Sequence, residues 1–182
     1  IYTLSLHDAL PIFDYAKERG AILYYDLNFR SNHVHEVDQL RETFSENFEL
    51  ADIVRGSHED FINVFGHDDS HQIYERYISA GCKILICTRG DSGVEVIDRG
   101  QDYSFSSHPI VPVSTIGAGD NFNAGMIYGL VRENIDREKL SCLNHDEWSS
   151  LIEYGIEFGT EACMSTENYV SKDFAERYKL TR

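Results

Sequence analysis

Two short, almost wholly apolar runs constrain the fold most. Residues 21–25 (AILYY) and 83–88 (KILICT) are too short for buried helices and show no polar alternation, as expected of strands covered on both faces. Helical spacing fills the chain around them. Residues 13–19 end at Gly20, residues 34–50 carry Val37, Leu40, Phe44 and Phe48 on one side, and residues 70–79 stop at Gly81. Residues 52–54 read as a brief strand, followed by a helix with Ser57 as N-cap and Gly66 as its stop. Residues 93–98 and 103–105 suggest a hairpin around Arg99 and Gly100, and Pro109 and Pro112 keep 111–113 extended. A helix over 118–131 places Phe122, Met126, Ile127 and Leu130 on one stripe. The last long helix, 146–164, carries Trp148, Leu151, Ile152, Ile156 and Phe158. This alternation predicts a layered α/β domain with a mostly parallel sheet, antiparallel edge strands from the hairpin, and no dividing linker.

The chain has 182 residues, the size of one ordinary domain, and its 42% hydrophobic and 26% charged content excludes wholesale disorder. A net charge of -15 repels phosphate backbones and anionic lipid, so nucleic-acid and membrane-surface partners are not expected. Any anion must be held by a local site. Cys82, Cys87, Cys142 and Cys163 form no CxxC pair and have no metal-like spacing, which suits small buried side chains in a reducing, cytoplasmic setting. The segment TLSLHDALPI at 3–12 lacks the layout of a signal peptide and resembles the conceptual translation of a sequencing-adapter oligonucleotide. Residues 1–12 are therefore set aside, and 13–182 are taken as the native part.

The loop Ser114-Thr115-Ile116-Gly117-Ala118-Gly119-Asp120 joins an extended segment to a helix. Its small residues let a ligand approach the backbone, and the free amides of a first helical turn make an anion site. Asp120 reads equally as a functional acid or as a helix-start residue. There is no GxxxxGK[ST] loop, and Phe122 stands where a dinucleotide fingerprint needs its third glycine.

The run STIGAGDNFNAGMI, 114–127, resembles the second signature of the PfkB-type, ribokinase-like carbohydrate kinases. In order and spacing, ILYYDLNFR resembles that family's strand ending in D-x-N-x-R. ADIVRGSHEDF resembles its N-x-x-E helix start, and ILICTRGDSGV its T-x-G-x-x-G-V nucleotide segment. The resemblance implies a three-layer α/β/α ribokinase-like fold with a mostly parallel central sheet, of which 13–182 would be the C-terminal catalytic and nucleotide-binding part, the N-terminal part and lid being absent. It implies ATP-dependent phosphorylation of a sugar or sugar-acid hydroxyl, in the manner of a fructokinase or 2-keto-3-deoxygluconate kinase. Asp120 would be the base, and the amides of Gly117, Ala118 and Gly119 the anion hole. Thr88, Gly90 and Thr115 would border the nucleotide, and Asn168 would touch adenine or simply cap its loop. Mg²⁺ would bridge the phosphates, with Asp60 organising it indirectly, although Ser57 and Asp60 replace the family's asparagine and glutamate. Ser114 replaces an aspartate that surrounds a monovalent cation in some relatives, which argues against K⁺ activation.

Arg30 reads either as a surface ion-pairing residue or, at the end of a buried strand, as a clamp for phosphate or a sugar-acid carboxylate, with Asn28 beside it. His33 and His35 are too few for a zinc site, and His58 reads as an exposed first-turn residue. The competing reading is a truncated or decayed kinase that binds nucleotide without turnover. With the sugar pocket and the lid that pairs subunits into a homodimer both expected to lie outside the chain, low activity and poor solubility are expected of it.

Overall fold

A computed structural model describes Phe13 and residues 15–180; the reading of 1–12 lies outside the described residues. The chain divides into two compact units. One runs up to Arg89 and takes in Val94–Ser104. The other comprises Gly90–Gly93 and everything from Phe105 onward. The sequence pattern foresaw no such division, because the strand pair after Gly93 returns to the first unit.

The first unit is built on a sheet of order β1-β2-β3-β4-β5, with β1 Tyr24–Asp26, β2 Ile53–Ser57, β3 Ile84–Thr88, β4 Val94–Asp98 and β5 Gln101–Phe105. β1, β2 and β3 run parallel, and β4 is antiparallel to β3. Arg99 and Gly100 both hold positive φ in the two-residue turn to β5, the geometry that matches strand twist in a tight hairpin. Period-two alternation sends Val54, Leu85, Cys87 and Ile97 into one core with Phe44, Phe48, Phe61, Ile73 and Ile78. Ile53, Ile84, Ile86 and Val96, on the opposite face, are also buried.

Helix α1, Val37–Leu50, follows a 3₁₀ segment, Ser31–Glu36, so the α-helix begins three residues later than the pattern suggests. Helix α2, His58–Phe65, has the expected Ser57 cap and left-handed Gly66 stop. The next helical pattern divides into α3, Ser70–Ile73, and a π-helical stretch, Tyr74–Ile78. Two strand expectations need correction. β1 is half-buried and pairs only with β2, not covered on both faces. β2 continues through Arg55, Gly56 and Ser57 instead of stopping at Val54.

The second unit is helical: α4 Ala118–Arg132, α5 Arg137–Leu140, α6 His145–Cys163 and α7 Lys172–Arg177. α4 and α6 pack closely through glycines that leave room for side chains of the facing helix. A Cβ on Gly155 would meet the Phe122 ring at 2.6 Å, and one on Gly129 would meet Leu151 at 2.9 Å. Phe122, Met126 and Leu130 are buried as expected, but Ile127 is 52% exposed and faces away from the stripe. Phe158, Phe174, Tyr178 and Tyr128 form an aromatic cluster that holds α7 to α6 and α4.

All four cysteines are free thiols, and Cys82, Cys87 and Cys163 are buried. Burial pushes the Cys82 thiol up to about 11 and the Cys87 thiol up to about 12, so both stay protonated and unreactive at neutral pH.

Candidate functional site

In the second unit the glycine loop enters α4 through Gly117, whose φ of 83° is the left-handed conformation that a β-carbon disfavours. The loop is tied down at both sides. Val113 and Ser114 N–H donate to the Cys163 carbonyl at 2.8 and 3.3 Å, and Ile116 N–H donates to Ser114 Oγ. Ala118 N–H donates to the Thr115 carbonyl at 3.2 Å, closing the turn. This corrects the expected donor set, since one of its three amides is already engaged. Among the described residues the N–H groups of Gly117, Gly119 and Asp120 have no partner within the chain, and they sit at the positive end of a 15-residue helix.

Asp120 occupies the third helical position. The same position in α2 and α6 is filled by Asp60 and Glu147, and both reach back to their N-cap amides in capping boxes. Asp120 does not; α4 has no side-chain cap. It is exposed, and its N-cap is a glycine with no side chain to engage it.

Asn168 lies against this turn. Its carbonyl, together with that of Gly117, accepts from the buried Asn121 carboxamide at 3.0 and 2.8 Å. A Cβ on Gly117 would stand 2.8 Å from the same Asn168 oxygen. Thus Gly117, Thr115, Asp120 and Asn168 are brought together, and Asn168 acts through its backbone. The sequence reading passed over Asn121. Its one signal is a carboxamide on the helix stripe that also carries Phe122 and Gly125, a position where an unpartnered polar group is costly.

In the first unit, Leu27 and Phe29 are buried while Asn28 and Arg30 project outward. Asn28 takes a positive φ of 39°, and Arg30 caps the 3₁₀ segment. The segment is anchored by Asp60, whose Oδ1 accepts Phe29 N–H at 2.7 Å. Asp60 Oδ2 accepts from Ser57 N–H at 2.7 Å and from Ser57 Oγ–H at 2.6 Å. Both oxygens of the expected metal-organising acid are therefore engaged in holding α2 and the Asn28–Arg30 stretch. Among the described residues no group of three or more His, Cys, Asp or Glu side chains is placed to hold a metal ion. Thr88 ends β3 half-buried, its Oγ1 accepting from Arg55. Gly90 opens an exposed 3₁₀ turn, Gly90–Ser92.

A profile of pfkB family carbohydrate kinases matches residues 7–158. The chain belongs to that family. Among curated members, it is 34% identical over 121 residues to a fructokinase of Klebsiella pneumoniae, covering 65% of this chain and 39% of that protein. It is 26% identical over 125 residues to a 5-dehydro-2-deoxygluconokinase of Geobacillus kaustophilus, covering 66% of this chain and 37% of that protein. The aminoimidazole riboside kinase of Salmonella enterica, solved with aminoimidazole riboside and an ATP analogue, superposes with a TM-score of 0.76 at 23% identity. That superposition covers 94% of this chain and 56% of the other. This pfkB chain thus has the ribokinase-like fold, and it spans well under two thirds of the length of the relatives it matches. No helix among its described residues is long and apolar enough to cross a membrane.

Proposed function

We propose that this pfkB segment binds the phosphates of ATP at the α4 turn and directs phosphoryl transfer to a hydroxyl of a sugar or sugar acid. The observation that carries this reading is an acid at the third helical position that makes no cap, beside three amides without partners. In α2 and α6 the chain uses the same position for capping, so Asp120 is free for other work.

In the transfer, the substrate oxygen bonds to the γ-phosphorus as the bond to the β,γ-bridging oxygen breaks. The hydroxyl proton passes to an Asp120 carboxylate oxygen, and ADP departs. Gly117, Gly119 and Asp120 N–H donate to phosphate oxygens as charge builds on them. Asn121 and Asn168 hold the turn, while Thr88 and Gly90 border the nucleotide. Arg30 offers a bidentate partner to a sugar-acid carboxylate, and Asn28 offers an amide to a sugar hydroxyl. Among the described residues no cluster of three or more His, Cys, Asp or Glu is placed to hold a metal ion; Mg²⁺ would arrive with the phosphates of ATP, which it ordinarily binds with only one or two protein carboxylates.

The test is an assay of the protein as its gene encodes it, with ATP, Mg²⁺ and a panel of ketoses and aldonic acids. ADP release matched by a sugar phosphate is expected with at least one of them. ATP binding without transfer to any would replace this reading by that of a nucleotide-binding domain.

A further inference from the structure

The last helix of the second unit is fastened at both ends. At its start Ser171 caps α7, its Oγ accepting Phe174 N–H at 3.2 Å. The same hydroxyl donates to Glu161 Oε1 of α6 at 2.6 Å. At its end Tyr178 stacks on Phe174 with ring centres 4.5 Å apart. Tyr178 also meets Phe158 of α6 and Tyr128 of α4 edge-on, at 5.0 and 5.4 Å. Its O–H donates to Glu157 Oε2 at 2.5 Å. Aromatic pairs of this geometry add directional preference to the area they bury, so α7 has one favoured seat on α4 and α6.

Just before the Ser171 cap, Asn168 holds a φ of 30°. That left-handed conformation suits asparagine better than most residues but persists only where the surroundings enforce it. The Asn168 carbonyl meets Asn121, 47 residues away in sequence. Asn121 Nδ2 has two protons to give. One goes to Asn168 O at 3.0 Å and the other to Gly117 O at 2.8 Å. Gly117 O also accepts the Asn121 backbone N–H at 2.9 Å, so one residue grips the turn twice. Because Asn121 is only 9% exposed, losing either acceptor would strand a donor away from water. We propose that Asn121 is a positioning residue that couples the seat of α7 to the donor geometry of the Gly117 turn. Seated, α7 holds Asn168 against the turn and keeps the N–H groups of Gly117, Gly119 and Asp120 convergent. Local opening of α7 releases the turn, and affinity for phosphates falls. This rests on the phosphate-binding reading above and adds the element that regulates that site. Linkage makes the coupling reciprocal, so bound ATP holds α7 down.

Hydrogen exchange on the protein as its gene encodes it, followed by mass spectrometry, tests this without any substitution. Saturating ATP is expected to slow exchange across 172–178 by up to about tenfold, the same factor by which opening of α7 weakens ATP. Adenosine, which lacks phosphates, should leave that exchange unchanged. Kd for ATP supplies a second measurement. Tyr178→Ala removes the ring that seats α7 and should weaken ATP about tenfold, as when the binding-competent turn falls to about a tenth of the population. Tyr178→Phe keeps the ring and should bind ATP like the parent. Asn121→Ala should lose as much as Tyr178→Ala, and the double variant should lose no more, since both act through one bridge. A merely structural role would lower the melting temperature of each variant and leave Kd for ATP unmoved. That result, additive losses, or exchange at 172–178 indifferent to ATP would overturn the inference and leave the kinase reading standing. A parent protein that binds no ATP would overturn both.

Discussion

Replacing Asp120 by Asn should lower phosphoryl transfer about 10²- to 10⁴-fold, the range that a positioned general base contributes. That corresponds to about 3–5 kcal/mol of barrier. The substitution keeps size and shape and removes only the capacity to accept a proton. Because Asp120 makes no cap, stability should change only by its interaction with the helix dipole, about 0.3–1 kcal/mol. Kd for ATP should stay within about threefold, since the binding amides are backbone groups and the loss falls on the transition state. Steady-state rates, ATP affinity and thermal melts on the two proteins check this. Turnover retained with a lowered melting temperature would return Asp120 to the role of a helix-start residue.

Gly117→Ala should cost stability and nucleotide affinity together. The backbone at φ 83° strains any β-carbon, at about 1–3 kcal/mol. The new methyl would also stand 2.8 Å from the Asn168 carbonyl. Relieving that crowding has a cost of similar size, about 1–3 kcal/mol, and would pull the Asn168 loop from the Asn121 carboxamide. With the turn displaced, its three donors no longer converge, and ATP affinity should fall at least about tenfold, the equivalent of one hydrogen bond to a charged group. Gly66→Ala separates the two effects. Gly66 has nearly the same φ, 80°, but nothing lies within 4 Å of its added Cβ. It should lower the melting temperature through backbone strain alone and leave ATP binding unchanged. Equal ATP affinity in both variants would show that the Gly117 turn does not hold the nucleotide.

Much of the fold was legible because its signals are local. Ser57 and Gly66 bracket α2 through chemistry contained within ten residues, and the apolar run of β3 announces a strand covered on both faces. Arg55 was missed for the opposite reason. Arg-Gly-Ser after Ile53-Val54 has the composition of a loop. What makes it strand is pairing with β3, and what permits a buried guanidinium is a carboxylate 29 residues upstream and a hydroxyl 33 residues downstream. Asp60 shows the same limit at the site. Its sequence position suggests a metal-organising acid, but one oxygen is taken by the local Ser57 cap and the other by Phe29 N–H, a partner set by how α2 meets the segment after β1. Ile127 shows that apolar character alone does not place a residue on the buried stripe. Its neighbours Met126 and Leu130 take the inner side of α4, and the glycine contacts to α6 fix that rotation. The Ser171 cap of α7 was visible as a helix start and went unread. Within the glycine loop, residue types pointed to an anion site, and only coordinates could show that Ala118 spends its amide on Thr115.

The most direct test of the account is a backbone amide NMR titration of the protein with ATP. Three resonances, those of Gly117, Gly119 and Asp120, are expected to move downfield together and saturate at one Kd, with Ala118 moving least because its N–H is already bonded to Thr115. Saturable binding that shifts residues elsewhere and leaves those three unmoved would contradict it.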